Sequence, residues 1–420
     1  MRTMKDSGIE WVGRVPQSWS VNPIRAEFQE VTEKNKLGLV KNALKFTYGN
    51  IVKKDNFDAD DDNYVADTIL NYTVVNPGTI MLNGLNLNFD FVSQRVALVK
   101  ERGIITSAYI AFAPNSNGRI SSQFITYLLK AYDGCKAFHN MGGGVRKILN
   151  FSELKKQYIV YPTLVEQQRI ADFLDAKCAE IDALTADIQA QIDTLEQYKR
   201  SVITETVTKG LNQNAEMKDS GIEWVEQMPM SWNTVPNKYL MYKIKSICPI
   251  YNGENILSLT TNGVIIRDLN GGGKMPTSFD GYQKIVPGNL LMCLFDIDVT
   301  PRCIGLIKDF GLTSPAYSQF AMKDGAYAPY YYYYYLMVDY TKELLHMAKN
   351  LRHSLTEDQL GAIKAPNPPY EEQVQIAEFL DKKCVEISRV IEDKNKQLAT
   401  LDEYKKSLIF EYVTGKKEIV

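Results

Sequence analysis

EQQRIADFLDAKCAEIDALTADIQAQIDTLEQYKRSVITETVT, from Glu166 to Thr208, is answered by EQVQIAEFLDKKCVEISRVIEDKNKQLATLDEYKKSLIFEYVT, from Glu372 to Thr414. Leu174, Ile181, Ile188, Leu195 and Val202 fall every seventh residue, and Ile170, Leu184 and Tyr198 supply part of a second stripe. The other copy keeps the interval with Leu380, Ile387, Leu401 and Leu408, while Lys394 interrupts it. An apolar repeat of seven over about six heptads predicts a coiled coil. At 1.5 Å per residue each copy predicts a rod of about 65 Å.

The repetition is not confined to the rods. MKDSGIEWVGRVPQSW (Met4–Trp19) returns as MKDSGIEWVEQMPMSW (Met217–Trp232), with 12 identities in 16 at an offset of 213. Tyr72–Leu82 matches Tyr282–Met292 at 210, Gly103–Phe112 matches Gly311–Phe320 at 208, and Val145–Leu154 matches Leu351–Leu360 at 206, the offset of the rods themselves. The order is preserved and the offset drifts slowly, so one unit has been duplicated whole. The boundaries are a globular domain at 1–162, a helix at 163–212, a second domain at 213–366 and a second helix at 367–420.

Within the globular parts, short β-rich runs such as Thr73–Val75, Thr79–Leu82 and Val96–Val99 are punctuated by glycine and proline. Pro77-Gly78 and Pro287-Gly288 suit type II turns between strands. Helices are expected over Ser121–Ala131 and around Tyr330–Val338. The expected fold class is therefore mixed, α/β (α+β). The six tyrosines Tyr330–Tyr335 suggest a base-stacking platform, but they match the amphipathic FITYLLKAY (Phe124–Tyr132), so packing of a helix on a sheet is the preferred reading. Thr163 to Glu166 fits a capping box, and Asn367 followed by Pro368 fits a helix start. Gly210 and Gly415 suit helix stops. The linker Leu211–Glu216 spans at most roughly 20 Å, too short to run back along a rod. The two helices are thus expected to pair antiparallel, with the two copies related by a pseudo-two-fold axis.

Composition excludes several classes. The chain has 420 residues, 45% hydrophobic and 23% charged, with a formal net charge of −2. That is an ordinary globular composition and not a basic nucleic-acid coat. Residues 1–150 hold 18 Lys/Arg against 14 Asp/Glu, and each later segment is acidic. No run reaches the ~18 to 20 apolar residues of a membrane span, and MRTMKDSGIEW has no apolar core of a secretory signal. Six cysteines lack C-x-x-C or metal-ligand spacing and read as reduced thiols of a cytoplasmic protein; Cys178 and Cys384, at equivalent helix positions, read as packing.

Catalytic chemistry is hard to find. Asn367-Pro368-Pro369-Tyr370 spells the tetrapeptide with which amino-methyltransferases orient an adenine amine, but it opens a helix here, and the first copy has Tyr161-Pro162-Thr163-Leu164. Gly142–Gly144 and Gly271–Gly273 are not followed by a phosphate-cradling helix. The histidines His139, His346 and His353 do not recur between copies, and Asp58, Asp60, Asp61 and Asp62 lack calcium-loop spacing. No metal site is expected.

Binding remains. Two diverged domains on a rigid spacer suit two separated half-sites of DNA, which readers engage about one helical turn, or multiples of it, apart. Base readout favours Arg, Lys, Asn and Gln. Candidates in the first domain are Lys45, Lys53, Lys54, Asn86, Asn88, Arg95, Arg119, Arg146 and Lys147. In the second they are Lys243, Lys245, Arg267, Lys274, Arg302, Arg352 and His353. Arg146 and Arg352 stand out because they are equivalent, and Gly142–Gly144 would let backbone approach a phosphate.

KDSGIEWVGxVPxSW, EQxxIAxFLDxKCxEID and LEQYKxSxIxExVTKGL, with their second copies, resemble the specificity subunits of type I restriction–modification systems over essentially the whole chain. The resemblance implies that each globular part is a target-recognition domain reading one half of a bipartite, gapped site in double-stranded DNA, with the coiled coil setting the gap. It implies docking of two modification (methyltransferase) subunits, which would bind S-adenosylmethionine and methylate adenine. Restriction subunits, where present, would use ATP. The chain itself would carry no cofactor and no catalytic residue. The alternative is a stand-alone adenine-N6 DNA methyltransferase using Asn367–Tyr370.

Overall fold

A computed structural model describes residues 2–55, 69–87, 94–143, 147–269, 276–348 and 352–419. Asp58, Asp60, Asp61, Asp62, Asn88, Gly144, Arg146, Gly271–Gly273 and Lys274 lie outside the described residues. The chain divides into two compact units, Met1–Ile188 with Lys396–Val420, and Gln189–Asn395. Each holds one globular part with segments of both long helices.

The long helices run Leu164–Lys209 and Tyr370–Val413. Neither contains glycine or proline, so no backbone hydrogen bond is broken within either. Thr163 caps the first, accepting the N–H of Glu166 at 3.4 Å. The second begins at Tyr370, two residues later than Pro368, because Pro369 supplies the carbonyl for the N–H groups of Glu372 and Gln373. Gly210 and Gly415 stop them at φ +73° and +70°. A Cβ on Gly415 would lie 2.5 Å from the Pro16 ring, so that helix end seats where a side chain does not fit, while one on Gly210 would meet the movable Glu372 carboxylate at 2.9 Å.

In each unit the two helix segments run antiparallel. In the first, Phe173 stacks near Tyr412 at 4.6 Å and Lys405 reaches Asp182 at 2.5 Å. In the second, Lys199 bonds Ser388 at 2.8 Å and Lys394 bonds the side-chain oxygen of Gln191. Leu174, Ile181, Ile188, Leu380, Ile387 and Leu408 are buried on this seam, and Leu195, Val202 and Leu401 are half-buried. The second stripe differs from expectation. Ile170 is buried, but Leu184 and Tyr198 are exposed; the inward positions are Cys178, Thr185, Ile192, Lys199 and Thr206. A heptad seam steps by four and then three residues. From Ile181 the next inward residue is therefore Thr185, and Leu184 turns to the flank.

The globular parts share one plan. A four-stranded sheet runs Phe28–Glu30, Ile110–Pro114, Ile80–Leu82, Val96–Leu98 in the first, and Met241–Ile244, Ser318–Met322, Leu290–Met292, Ile304–Leu306 in the second. Every named strand pair is antiparallel, which makes each part α+β. Ser122–Gly134 and Ala328–Tyr340 are the helices that cover them. Five of the six tyrosines are buried in the core and Tyr332 is half-buried, so the run packs a helix on a sheet. Their hydroxyls find partners: Tyr330 donates to Val207 O at 3.0 Å and Tyr333 to Asp381 at 2.6 Å.

Each domain is fastened to its long helix by a glutamine with no exposed surface. Gln167 Oε1 accepts the N–H of Ser121, and its Nε2 donates to the carbonyls of Arg119 and Pro162. Gln373 repeats this with the N–H of Tyr327 at 2.8 Å and the carbonyls of Gly325 at 3.0 Å and Pro368 at 2.9 Å.

Candidate nucleic-acid interface

In each domain a central strand of the sheet runs into a loop that lies beside a second loop. In the first domain, Leu87 N–H donates to Lys147 O at 3.2 Å and Leu149 N–H to Gly84 O at 2.9 Å. In the second, Ile297 N–H donates to His353 O at 3.3 Å, Asp296 N–H to Arg352 O at 2.9 Å and Leu355 N–H to Leu294 O at 2.8 Å. The same edge is built twice. It presents Asn86 and Lys147 in one domain, and Arg352 and His353 in the other, all exposed, with Asp296 half-buried. His353 Nε2 lies 3.9 Å from Asp298.

Different residues hold the two edges in place. Arg95 is 6% exposed, which corrects its reading as a base contact. Its guanidinium donates to Asn83 O at 2.9 Å, Leu85 O at 2.7 Å and Asn86 O at 3.2 Å, while its backbone N–H donates to Asp133 at 2.8 Å. A buried cation needs such a full set of acceptors. The equivalent of Arg95 is Cys303, whose N–H donates to Asp339 at 2.8 Å. Burial pushes its thiol up to about 12. Lys342 holds that loop by donating to Thr300 O at 2.7 Å. Arg302 is likewise turned inward, onto Ile304 O at 3.0 Å, the carbonyl of Thr261 and the hydroxyl of Tyr332. It too is a structural cation in this geometry.

The other candidates are dispersed. Lys45 pairs with Asp55 at 2.6 Å and Lys53 with Glu101 at 3.7 Å, both on the hairpin that leads into exposed Lys54. Lys243 is ion-paired to Glu357 in a cleft of about 490 Å³ lined by Leu294, Phe295 and Ser354. Arg267 is half-buried at the end of the Gly263–Ile266 strand. Arg119 lies by the fastening of the long helix. There Glu27, 2% exposed, accepts Tyr161 Oη at 2.7 Å, Asn22 at 2.9 Å and Asn117 at 3.0 Å. Burial works to raise the Glu27 pKa, but those bonds and the Arg119 charge together hold it below the ordinary carboxylate value. Asp296 and the two glutamines had no sequence signal of their own, beyond the alignment of the copies.

The tetrapeptide Asn367–Tyr370 is a corner between strand and helix. Asn367 Oδ1 accepts from Tyr331 Oη at 3.0 Å and Gln373 Nε2 at 3.3 Å, so the amide that would orient an adenine is engaged in the fastening. Among the described residues no His/Cys/Asp/Glu group could hold a metal ion, and no helix is long and apolar enough to cross a membrane.

Residues 94–194 match the family model for the type I restriction modification DNA specificity domain. The chain is similar to the type I restriction enzyme MjaVIII specificity subunit of Methanocaldococcus jannaschii, at 25% identity over 96% of this chain and 94% of that protein. The MjaX specificity subunit of the same organism is 23% identical, with 96% of this chain and 95% of that one covered. A chain solved in work on complex assembly and conformational transition of the type I R-M system aligns over 96% of this chain and 99% of its own. Its TM-score is 0.70 at 13% identity, a likeness of fold.

Proposed function

We propose that this chain, which belongs to the specificity subunits of type I restriction–modification systems, reads a divided DNA site with one globular domain for each half. The observation that carries this is the repeated loop edge: one backbone, two sets of side chains. A duplicated scaffold with exchanged polar groups at equivalent places is what two different half-sites require.

The chemistry is assigned to partners. Two modification subunits would bind S-adenosylmethionine and methylate adenine, and restriction subunits would use ATP; this chain contributes no catalytic residue. Leu184 and Tyr198 on the first long helix, and Val390 and Tyr404 at the equivalent places on the second, are exposed apolar residues that support partner docking there. The near-neutral chain charge fits partners that share the phosphate contacts.

Exchange of residues 1–150 for those of a relative tests this reading. Sequencing of the methylated sites made by the reconstituted complex should then show one half-site changed and the other kept. Change in both halves, or in neither, overturns it.

A further inference from the structure

Seven described non-glycine residues have positive φ: Tyr48, Asn86, Lys136, Lys147, Asp296, Lys342 and His353. Six of them form three equivalent pairs. Lys136 and Lys342 sit past the ends of the covering helices, where a left-handed residue is ordinary, and Lys342 is tied to Asp339 at 2.7 Å. The other two pairs, Asn86 with Asp296 and Lys147 with His353, are the four residues that meet on the loop edges.

This coincidence has a physical cost. A lysine at positive φ costs about 1 kcal/mol that glycine would avoid, and Asn, Asp and His, which tolerate it better, still cost more than glycine. The chain does use glycine for that purpose at equivalent turns, Gly78 and Gly288. On the edges it keeps a polar side chain four times out of four. Among the described residues, three of the four side chains hold nothing in the fold. Asn86, Lys147 and His353 are exposed, and the side chains of Asn86, Lys147 and Asp296 hydrogen-bond no described residue. Backbone shape is kept between copies while residue type changes, from Asn to Asp and from Lys to His.

We infer that Asn86 and Lys147 in one domain, and Asp296 and His353 in the other, are specificity-determining residues that meet base edges. This rests on the DNA-reading function proposed above and locates it. Asn can bond adenine at N6 and N7, Lys can donate to guanine O6 and N7, and a carboxylate accepts from cytosine N4, so the exchanged side chains give the two halves different sequences.

Glycine variants separate this role from a structural one, because they remove side chain and strain together. Asn86→Gly, Lys147→Gly, Asp296→Gly and His353→Gly would each be assembled with the modification subunits. Methylation would be read on synthetic duplexes carrying every single-base change in both halves. The first two should relax discrimination about tenfold at positions of one half-site, and the last two at positions of the other, with melting temperature held. Unchanged discrimination in all four, or a fall in melting temperature with discrimination intact, overturns the inference. A wild-type complex that marks no divided site overturns the functional reading itself, and the inference with it.

Discussion

The side-chain oxygen of Gln167 accepts the backbone N–H of Ser121 at 2.8 Å, while its amide nitrogen donates to the carbonyls of Arg119 and Pro162, both at 2.9 Å. One buried amide thus joins the long helix, the strand before it and the helix that covers the sheet. Gln167→Leu keeps the volume and leaves three backbone groups without partners. The expected loss is about 2–4 kcal/mol in urea unfolding, and the same for Gln373→Leu. An unmoved midpoint would show that the joint is held by packing alone.

Arg95 should act on the loop and not on DNA directly. Arg95→Met removes three charge-assisted bonds to the Asn83–Leu87 segment. Hydrogen exchange at the amides of Leu87 and Leu149 should quicken by about tenfold or more, while Asp296 and Leu355 keep their protection. Equal exchange in wild type and variant would remove the positioning role.

Glu27 gives the first domain an acid-sensitive contact. Its folded pKa is lowered from 4.5, so its contribution is full above the ordinary carboxylate value and disappears as pH falls through the lower folded value. Glu27→Gln should be less stable than wild type by about 1–3 kcal/mol at pH 7. The gap should hold down to about pH 5 and close below 4.5. A gap that widens in acid would contradict the lowered pKa.

Lys394 interrupts the seam and bonds Gln191 across it. A polar residue at an expected apolar position of a coiled-coil seam fixes register at a cost in stability. Lys394→Leu should raise the unfolding free energy by about 1 kcal/mol, read as a raised midpoint in thermal denaturation. A lowered midpoint would mean that the ammonium stabilises more than it desolvates.

The sequence showed the long helices, their stops and the duplication, because these rest on periodicity and on glycine at fixed places. It misplaced the second seam stripe, where Leu184 and Tyr198 attracted attention by apolarity alone. Thr185, Lys199 and Thr206 fill the inward positions, and no hydropathy pattern marks them. Arg95 and Arg302 looked like readers because a cation's burial depends on carbonyls supplied by loops with no pattern of their own. Gln167 was visible as a shared letter, but its backbone partners were not.

Those partners are all main chain, and that bears on inheritance. An amide that grips only carbonyls and N–H groups is indifferent to the residues that carry them. A first head replaced by recombination meets the same grip whatever its side chains, provided the corner keeps its backbone course. Lineages can then trade what is read without altering the shaft on which it is mounted.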